Sequence, residues 1–463
     1  MSRRPPLRGD ELPEILVPPP GPKSRAAAKR LRRTEGAAIW GSEESPIVWS
    51  RARGAVVEDL DGNRYLDFTS GFGVVSLGHS APEVRRAVSA QAGRLTQGLG
   101  DLMPHRERER LVRALAKVGG PCDRVLLAST GSEAVELALK TAALATGRRR
   151  FVAFQGGYHG DSYGALAATS HPPAPGPIAA QVSPLAIHVP YPYTYRCPVE
   201  NACGERGCDL RCLERAFEII DRELEGPDPP GAVIVEPIQG RAGGIIPPLE
   251  FLPRLCRGAR ERGLVVIYDE VLTGACRTGP FWAWERSGLE AAPDLLCAGK
   301  GLGGGVAIAA LFGRAKLMDV WRRHTGASGE APHASTYYAH PLACAGALAT
   351  VNGLSSPSFR ERMAGSGRVL AERLEEIASR HRLVGDVRVA GLLASMEMVQ
   401  DRSSREPAAR AIGRLTNILL RRGMLALPGG RHENVLMLLP PLTITEPQLT
   451  QGCRFLDESL ATL

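Results

Sequence analysis

Between residue 82 and about residue 300, short and almost wholly apolar runs alternate with amphipathic stretches. No other feature constrains the fold as much. The runs RVLLAST (124–130), FVAFQ (151–155), AVIVEP (232–237), LVVIYDE (264–270) and DLLCAGK (294–300) read as strands. The stretches 81–95, 131–146 and 253–263 have helical patterning. Strands that are apolar on both faces and separated by helices predict an α/β fold, with a mainly parallel sheet covered on both sides. A long Pro-rich connection separates the second run from the third.

The flanking segments read differently. Residues 1–40 are rich in Pro, Arg and Ala, lack an apolar rhythm and read as an arm, with helical potential at 24–35. Residues 41–80 carry short β-type runs and a hairpin signal at Asp61-Gly62-Asn63. From 351 to 463 two helical stretches (360–380 and 407–423) are interleaved with strand-like 392–399 and 434–444. The expectation is a large domain over 81–350 and a smaller α+β domain built from 41–80 and 351–463.

Composition narrows the class. A hydrophobic fraction of 44% and a charged fraction of 23% exclude wholesale disorder. No apolar run reaches the roughly 20 residues that span a bilayer, and the basic start has no apolar core of a secretory signal. A soluble, cytoplasmic protein is expected. Much of the excess behind the net charge of +8 lies in arginines and lysines between residues 3 and 33. No zinc-finger spacing or RNA-recognition motif accompanies them, so they read as a solvated arm and not as a nucleic-acid module. Cys197, Cys203, Cys208 and Cys212 are spaced C-x5-C-x4-C-x3-C. Four thiols this close could bind zinc or pair as disulfides, but the spacing is not that of two C-x2-C knuckles and is read as a reduced surface insertion with no metal.

The chain has six lysines, and Lys300 alone stands where an apolar strand opens into a glycine-rich turn, GKGLGGG. Partial desolvation there lowers the pKa of an amine and makes it nucleophilic. Asp269 ends the run 264–268, at the edge of a parallel strand where α/β folds bind ligands. A Schiff-base lysine with pyridoxal 5′-phosphate needs such a carboxylate beside the pyridine nitrogen. Magnesium ligation is the rival role for Asp269, but no phosphate-loop lysine accompanies it. In Ser129-Thr130-Gly131-Ser132, Thr130 and Glu133 have capping-box spacing. The free N–H groups of a helix starting there would face a phosphate.

With these residues in view the sequence resembles the class III aminotransferases, a branch of the fold type I pyridoxal phosphate enzymes. The motifs are STGSEAVELALKTA (129–142), GGYHGDSYGALAAT (156–169), VIVEPIQGRAGGIIPP (233–248), VVIYDEVLTGACRTG (265–279), PDLLCAGKGLGGG (293–305) and HASTYYAHPLACAGALA (333–349). The resemblance covers roughly residues 40 to 450. It implies a large domain with a seven-stranded-type sheet, and a homodimer with shared active sites that act on a small-molecule amine and a carbonyl. It implies that Lys300 forms the Schiff base and shuttles protons, and that Asp269 pairs with the ring nitrogen. Tyr158 and Val271 would flank the ring, and Gly131 and Ser132 would bind the phosphate with Thr336 of the neighbouring subunit. Glu236 would organise the site, and His159 would support it from beside the ring.

Departures from the family pattern bear on the substrate. Family members acting on 4-aminobutyrate hold carboxylates with two arginines, and the corresponding positions here are Asp161 and Met437. The acidic residue that gates the second arginine is Arg241, and a common ring-contacting glutamine is Leu272. Phe72 is expected to narrow the pocket. One reading is a transaminase acting on a polyamino or amino-sugar substrate in secondary metabolism, such as antibiotic biosynthesis, with Asp161 attracting a cationic amine. In the other, Arg241 takes over carboxylate binding, as an ω-amino acid aminotransferase would need. An epimerase or aminomutase, using the same lysine and aspartate, is the third.

Overall fold

The computed structural model describes residues 6–36, 46–199, 203–204, 207–327 and 331–463. The chain divides into two compact units, one formed by the segment up to Ala81 with Met363–Leu463, the other by Pro82–Arg362. The first unit opens with three antiparallel strands, β1 (Trp49–Arg53), β2 (Val56–Asp59) and β3 (Arg64–Asp67). Gly62 takes φ +90° in the turn between β2 and β3, as the Asp-Gly-Asn signal requires.

The expectation of a solvated arm needs correction, because this turn holds it. Asp61 accepts hydrogen bonds from Lys23 N (2.8 Å) and Ser24 N (2.9 Å), the open amides at the start of helix α1 (Pro22–Leu31). Asn63 Oδ1 accepts from Leu16 N and Val17 N, and Gln448 Nε2 donates to the carbonyls of Gly9 and Glu11. Leu7 and Ala28 are buried. The arm is therefore fastened by backbone groups that carry no apolar periodicity.

The second unit is built on a seven-stranded sheet. Its strands are β4 (Arg124–Ala128), β5 (Arg150–Phe154), β6 (Ala186–Val189), β7 (Pro230–Val235), β8 (Val265–Asp269), β9 (Leu295–Ala298) and β10 (Ala309–Gly313). Their order across the sheet is β4-β10-β9-β8-β7-β5-β6. Six strands run parallel and β10 is antiparallel to both neighbours. The five central strands β10, β9, β8, β7 and β5 are buried along nearly their whole length, which is why β9, β8, β7 and β5 read as continuous apolar runs. Helix α2 (Gly131–Thr146) buries Ala134, Val135, Leu137, Ala138 and Ala142 in the same core as Ile234, Ile267, Cys297 and Leu311. Small alanines let the helix lie close to the sheet.

In its C-terminal part the first unit adds a second antiparallel sheet. It contains β11 (Val384–Ala390) and β12 (Leu393–Met398), and it pairs β14 (Leu427–Gly429) with β15 (Val435–Leu438). The short strand β13 (Met424–Leu425) runs parallel to β3. The units part at Arg362/Met363, within the helix Pro357–Arg380, whereas a break was expected near 351, where the helix Pro341–Leu354 is still running. Among the described residues no helix is long and apolar enough to cross a membrane.

Candidate active site

Five strands of like direction, β9, β8, β7 and β5 side by side and β4 beyond the antiparallel β10, each deliver chemistry at the carboxyl end, the place where open α/β sheets bind ligands. β8 ends in Asp269, β7 leads into Glu236, and β9 leads through Gly299 to Lys300. β4 leads to Ser129–Ser132, and β5 to the loop that carries Tyr158, His159 and Asp161.

Lys300 occupies the left-handed region at φ +34°, opening a single 3-10 turn, Lys300–Leu302. Gly299 before it packs between Val271 and Gly131, where an added Cβ would meet Val271 Cγ1 at 3.3 Å and Gly131 Cα at 3.6 Å. Burial pushes the Lys300 amine below its ordinary value, the charges of Asp269 and Glu236 pull it back up, and Arg241 adds to the lowering.

Asp269 is buried and held from both sides. Its Oδ1 accepts from Val271 N at 3.0 Å and its Oδ2 meets His159 Nδ1 at 2.7 Å. Burial alone would lower the pKa of His159, but the hydrogen bond and charge of Asp269, with the charge of Glu236, hold it above its ordinary value. Glu236 accepts from Tyr158 N (3.1 Å) and Gly240 N (3.0 Å), and burial pushes its carboxyl up to about 7.

The amino end of helix α2 faces this cluster. Thr130 caps it by accepting from Glu133 N, while Glu133 reaches back to Ser129 N at 2.7 Å, which leaves the amides of the first turn open. Gly131 is fixed as glycine because a Cβ there would stand 2.8 Å from Val271 Cγ1. Across from it, Asp161 N donates to Ser132 Oγ at 3.2 Å. Tyr158 lies between two charges: its hydroxyl donates to Asp161 Oδ2 at 3.0 Å, and the Arg241 guanidinium sits 4.8 Å from its ring centroid.

The second unit thus gathers Lys300, Asp269, Glu236, His159, Tyr158, Val271, Gly131, Ser132, Asp161 and Arg241. Phe72 and Met437 belong to the first unit: Phe72 is exposed at φ +63°, and Met437 is buried in β15 opposite Ser395. Thr336 is exposed, and its carbonyl accepts from Gln97 Nε2, while the neighbouring Ser335 Oγ lies 3.5 Å from Ser129 Oγ. Leu272 packs against Gly240, where an added Cβ would meet Leu272 Cδ2 at 2.2 Å.

Sequence reasoning missed several supports. Thr169 Oγ1 accepts from His159 N at 2.9 Å, Tyr191 donates to the carbonyls of Glu236 and Pro237, and Glu136 fixes the 162–165 turn. Nothing in their local sequence marks them. Cys197, Cys208 and Cys212 are free thiols, and burial, aided by Cys208 and Cys197, pushes Cys212 up to about 12. The Cys203 side chain lies outside the described part. Among the described residues no group of three or more His, Cys, Asp or Glu could hold a metal ion.

The arrangement suits a phosphorylated aldehyde cofactor: a depressed amine, a buried carboxylate steadied by histidine, and an open helix terminus walled by glycines. The aminotransferase class-III family model matches residues 39–460. A 4-aminobutyrate aminotransferase of Mycobacterium tuberculosis is 33% identical over 451 residues, covering 96% of this chain and 97% of that protein. An alanine/serine racemase of Pyrococcus horikoshii is 29% identical over 465 residues, covering 97% and 93%. Among solved structures, a pyridoxal phosphate-bound amine transaminase from an uncultivated Pseudomonas species superposes with a TM-score of 0.80 at 29% identity, covering 91% of this chain and 97% of that one. The chain belongs to the class-III aminotransferases, pyridoxal 5′-phosphate-dependent enzymes of fold type I.

Proposed function

We propose that this enzyme transfers an amino group to or from a polyamino compound, such as an amino sugar with a carbonyl at a primary carbon, at a site where Lys300 carries the proton. The transfer chemistry is carried by one observation, that Lys300, Asp269 and the open terminus of helix α2 converge at the carboxyl edge of one sheet, and the polyamino substrate is supported by the exposed carboxylate of Asp161 beside them. The bound cofactor supplies an electron sink for the charge left when the substrate carbon loses its proton.

The chain's own residues do the rest. Lys300, its amine lowered by burial against the opposing charges of Asp269 and Glu236, acts as general acid and base at the substrate carbon. Asp269, oriented by His159 Nδ1 and Val271 N, is the anion that keeps the ring nitrogen protonated. The amides of Gly131 and Ser132 would hold the cofactor's phosphate, and Tyr158 and Val271 would bound its ring. Glu236 fixes the backbone of Tyr158 and of Gly240, which sets the pocket wall. Asp161, exposed and bound among the described residues through Tyr158 and Ser132, offers its carboxylate to a substrate ammonium. A second copy of the chain is the natural cover for exposed Leu99, Leu102, Met103 and Tyr337, which lie on the loops bearing Gln97 and Thr336.

Two measurements test this reading. Borohydride reduction of the yellow enzyme followed by peptide mapping places the tag on Lys300, and a tag on another residue overturns the assignment. Half-reactions followed by bleaching of the visible band, run with glutamate, 4-aminobutyrate, β-alanine, diamines and an aminoglycoside, test the substrate. Fast bleaching by 4-aminobutyrate with none by cationic amines overturns the polyamine reading. The likeness to a racemase favours a second reading, for which retained amine nitrogen with deuterium entering the α-carbon is the signature.

A further inference from the structure

We infer that Arg241 is the carboxylate fork for the amino-acid partner of the reaction, so that Tyr158 carries opposite charges at its ring and its hydroxyl and one pocket takes an anionic and a cationic substrate in turn. The inference rests on the transaminase reading above and names what holds each substrate.

Arg241 is mounted with unusual firmness for an exposed side chain. It sits in a short loop closed by the backbone pair Gln239–Ile245, with Gly243 N and Gly244 N both donating to Gly240 O. The loop is anchored at Gly240 by Glu236 and at Gln239 by a hydrogen bond to Gln155 O, and the adjacent Ala242 is buried. The guanidinium rests 4.8 Å from the Tyr158 ring centroid and forms no ion pair among the described residues. Its charge adds to the lowering of the Lys300 amine, and it also pulls on the Tyr158 hydroxyl, which burial and Asp161 nevertheless hold above its ordinary value. A guanidinium stacked on an aromatic ring keeps its planar edge for a second partner, and a carboxylate is the partner that edge fits.

Asp161 is anchored differently, through the Tyr158 hydroxyl and through its own amide to Ser132 Oγ, and presents a charge of the other sign that forms no ion pair among the described residues. An α-amino acid donor thus leaves its carboxylate at Arg241 when its amine reaches Lys300. A polyamino partner finds repulsion there and attraction at Asp161. Because the two charges meet at a single tyrosine, neither substrate needs a rearranged pocket.

The test uses the holoenzyme and three variants: Arg241→Met, Arg241→Lys and Asp161→Asn. Single-turnover bleaching is measured against glutamate and against a diamine, and calorimetry measures binding of glutarate, a dicarboxylate that cannot react. Arg241→Met should raise the half-saturating glutamate concentration about tenfold or more, as expected for one lost charged hydrogen bond, while any change in limiting rate from removing its charge near Lys300 should be the same for both substrates. The diamine value should stay within about twofold, glutarate binding should disappear, and Arg241→Lys should restore part of both losses. Asp161→Asn should give the reverse pattern. Equal losses for both substrates in Arg241→Met, or an unaltered glutamate response, overturn the inference while leaving the transaminase reading intact. A wild-type enzyme bleached by no amine overturns both.

Discussion

At Gly160 one added carbon would stand 1.9 Å from Ser132 Oγ, at a backbone φ of +127° that side chains rarely adopt. Gly160→Ala must therefore move the Ser132 hydroxyl or the Asp161 amide bonded to it, and both belong to the phosphate seat. Strain of this kind costs about 1–3 kcal/mol. Cofactor affinity, measured by titrating the cofactor-free enzyme, is expected to fall roughly 5- to 150-fold, while far-UV dichroism stays unchanged. Lys300, Asp269 and Gly131 were legible in the sequence because each sits at a strand end or helix start that the apolar pattern already marked. Gly160 was visible only as one letter of a motif. Its necessity comes from Ser132, far away in sequence, and no local pattern encodes a contact across two loops. The same holds for Thr169 and Tyr191, whose hydroxyls are ordinary until the sheet brings them to His159 and Glu236.

Asp61 joins two elements that sequence analysis kept apart. It was read as one residue of a hairpin turn, and it also caps helix α1 from outside by accepting from Lys23 N and Ser24 N. Loss of a cap costs about 1 kcal/mol, or roughly a fivefold rise in the undocked fraction. Asp61→Ala is accordingly expected to speed tryptic cleavage at Arg25–Arg33 several-fold at neutral pH, with transaminase half-reactions unaltered. An unchanged cleavage rate would mean that Asn63 and Gln448 hold the arm without it. Strands were legible where burial on both faces forced continuous apolar runs, as in β7 and β8. In the seven-stranded sheet two were missed for physical reasons. β6 is four residues long with His188 inside it and lies in a Pro-rich stretch, and β10 is largely alanine and glycine, weak strand formers that tertiary pairing with β4 and β9 overrides.

For the whole molecule, the site concentrates buried ionisable groups in one of its two units, and this ties stability to pH. Glu236 and Glu270 are both pushed up to about 7, mainly by burial, although Glu270 accepts from Thr273, Ala283 N and Trp284 N and Glu236 from Tyr158 N and Gly240 N. A carboxyl whose pKa is higher in the folded chain keeps its proton after the unfolded chain has lost it. Its contribution is fully present below the unfolded value of 4.5 and is lost as pH rises through about 7. In that window each such group can tilt stability downward by at most about 1.4 kcal/mol per pH unit. Lys300 titrates in the opposite sense, since its depressed amine loses stability as pH falls, so the net profile of the wild type mixes signs. A difference between variant and wild type removes that ambiguity. Glu236→Gln loses one of two backbone acceptors and should be less stable than wild type in acid, but its deficit should shrink steadily between pH 4.5 and 7 because it has no proton to lose. Urea unfolding of the cofactor-free enzyme at a series of pH values reads this directly. A deficit that stays constant across the window would show that Glu236 is ionised throughout in the folded chain, and that the charges of Lys300 and His159, not burial, set its state.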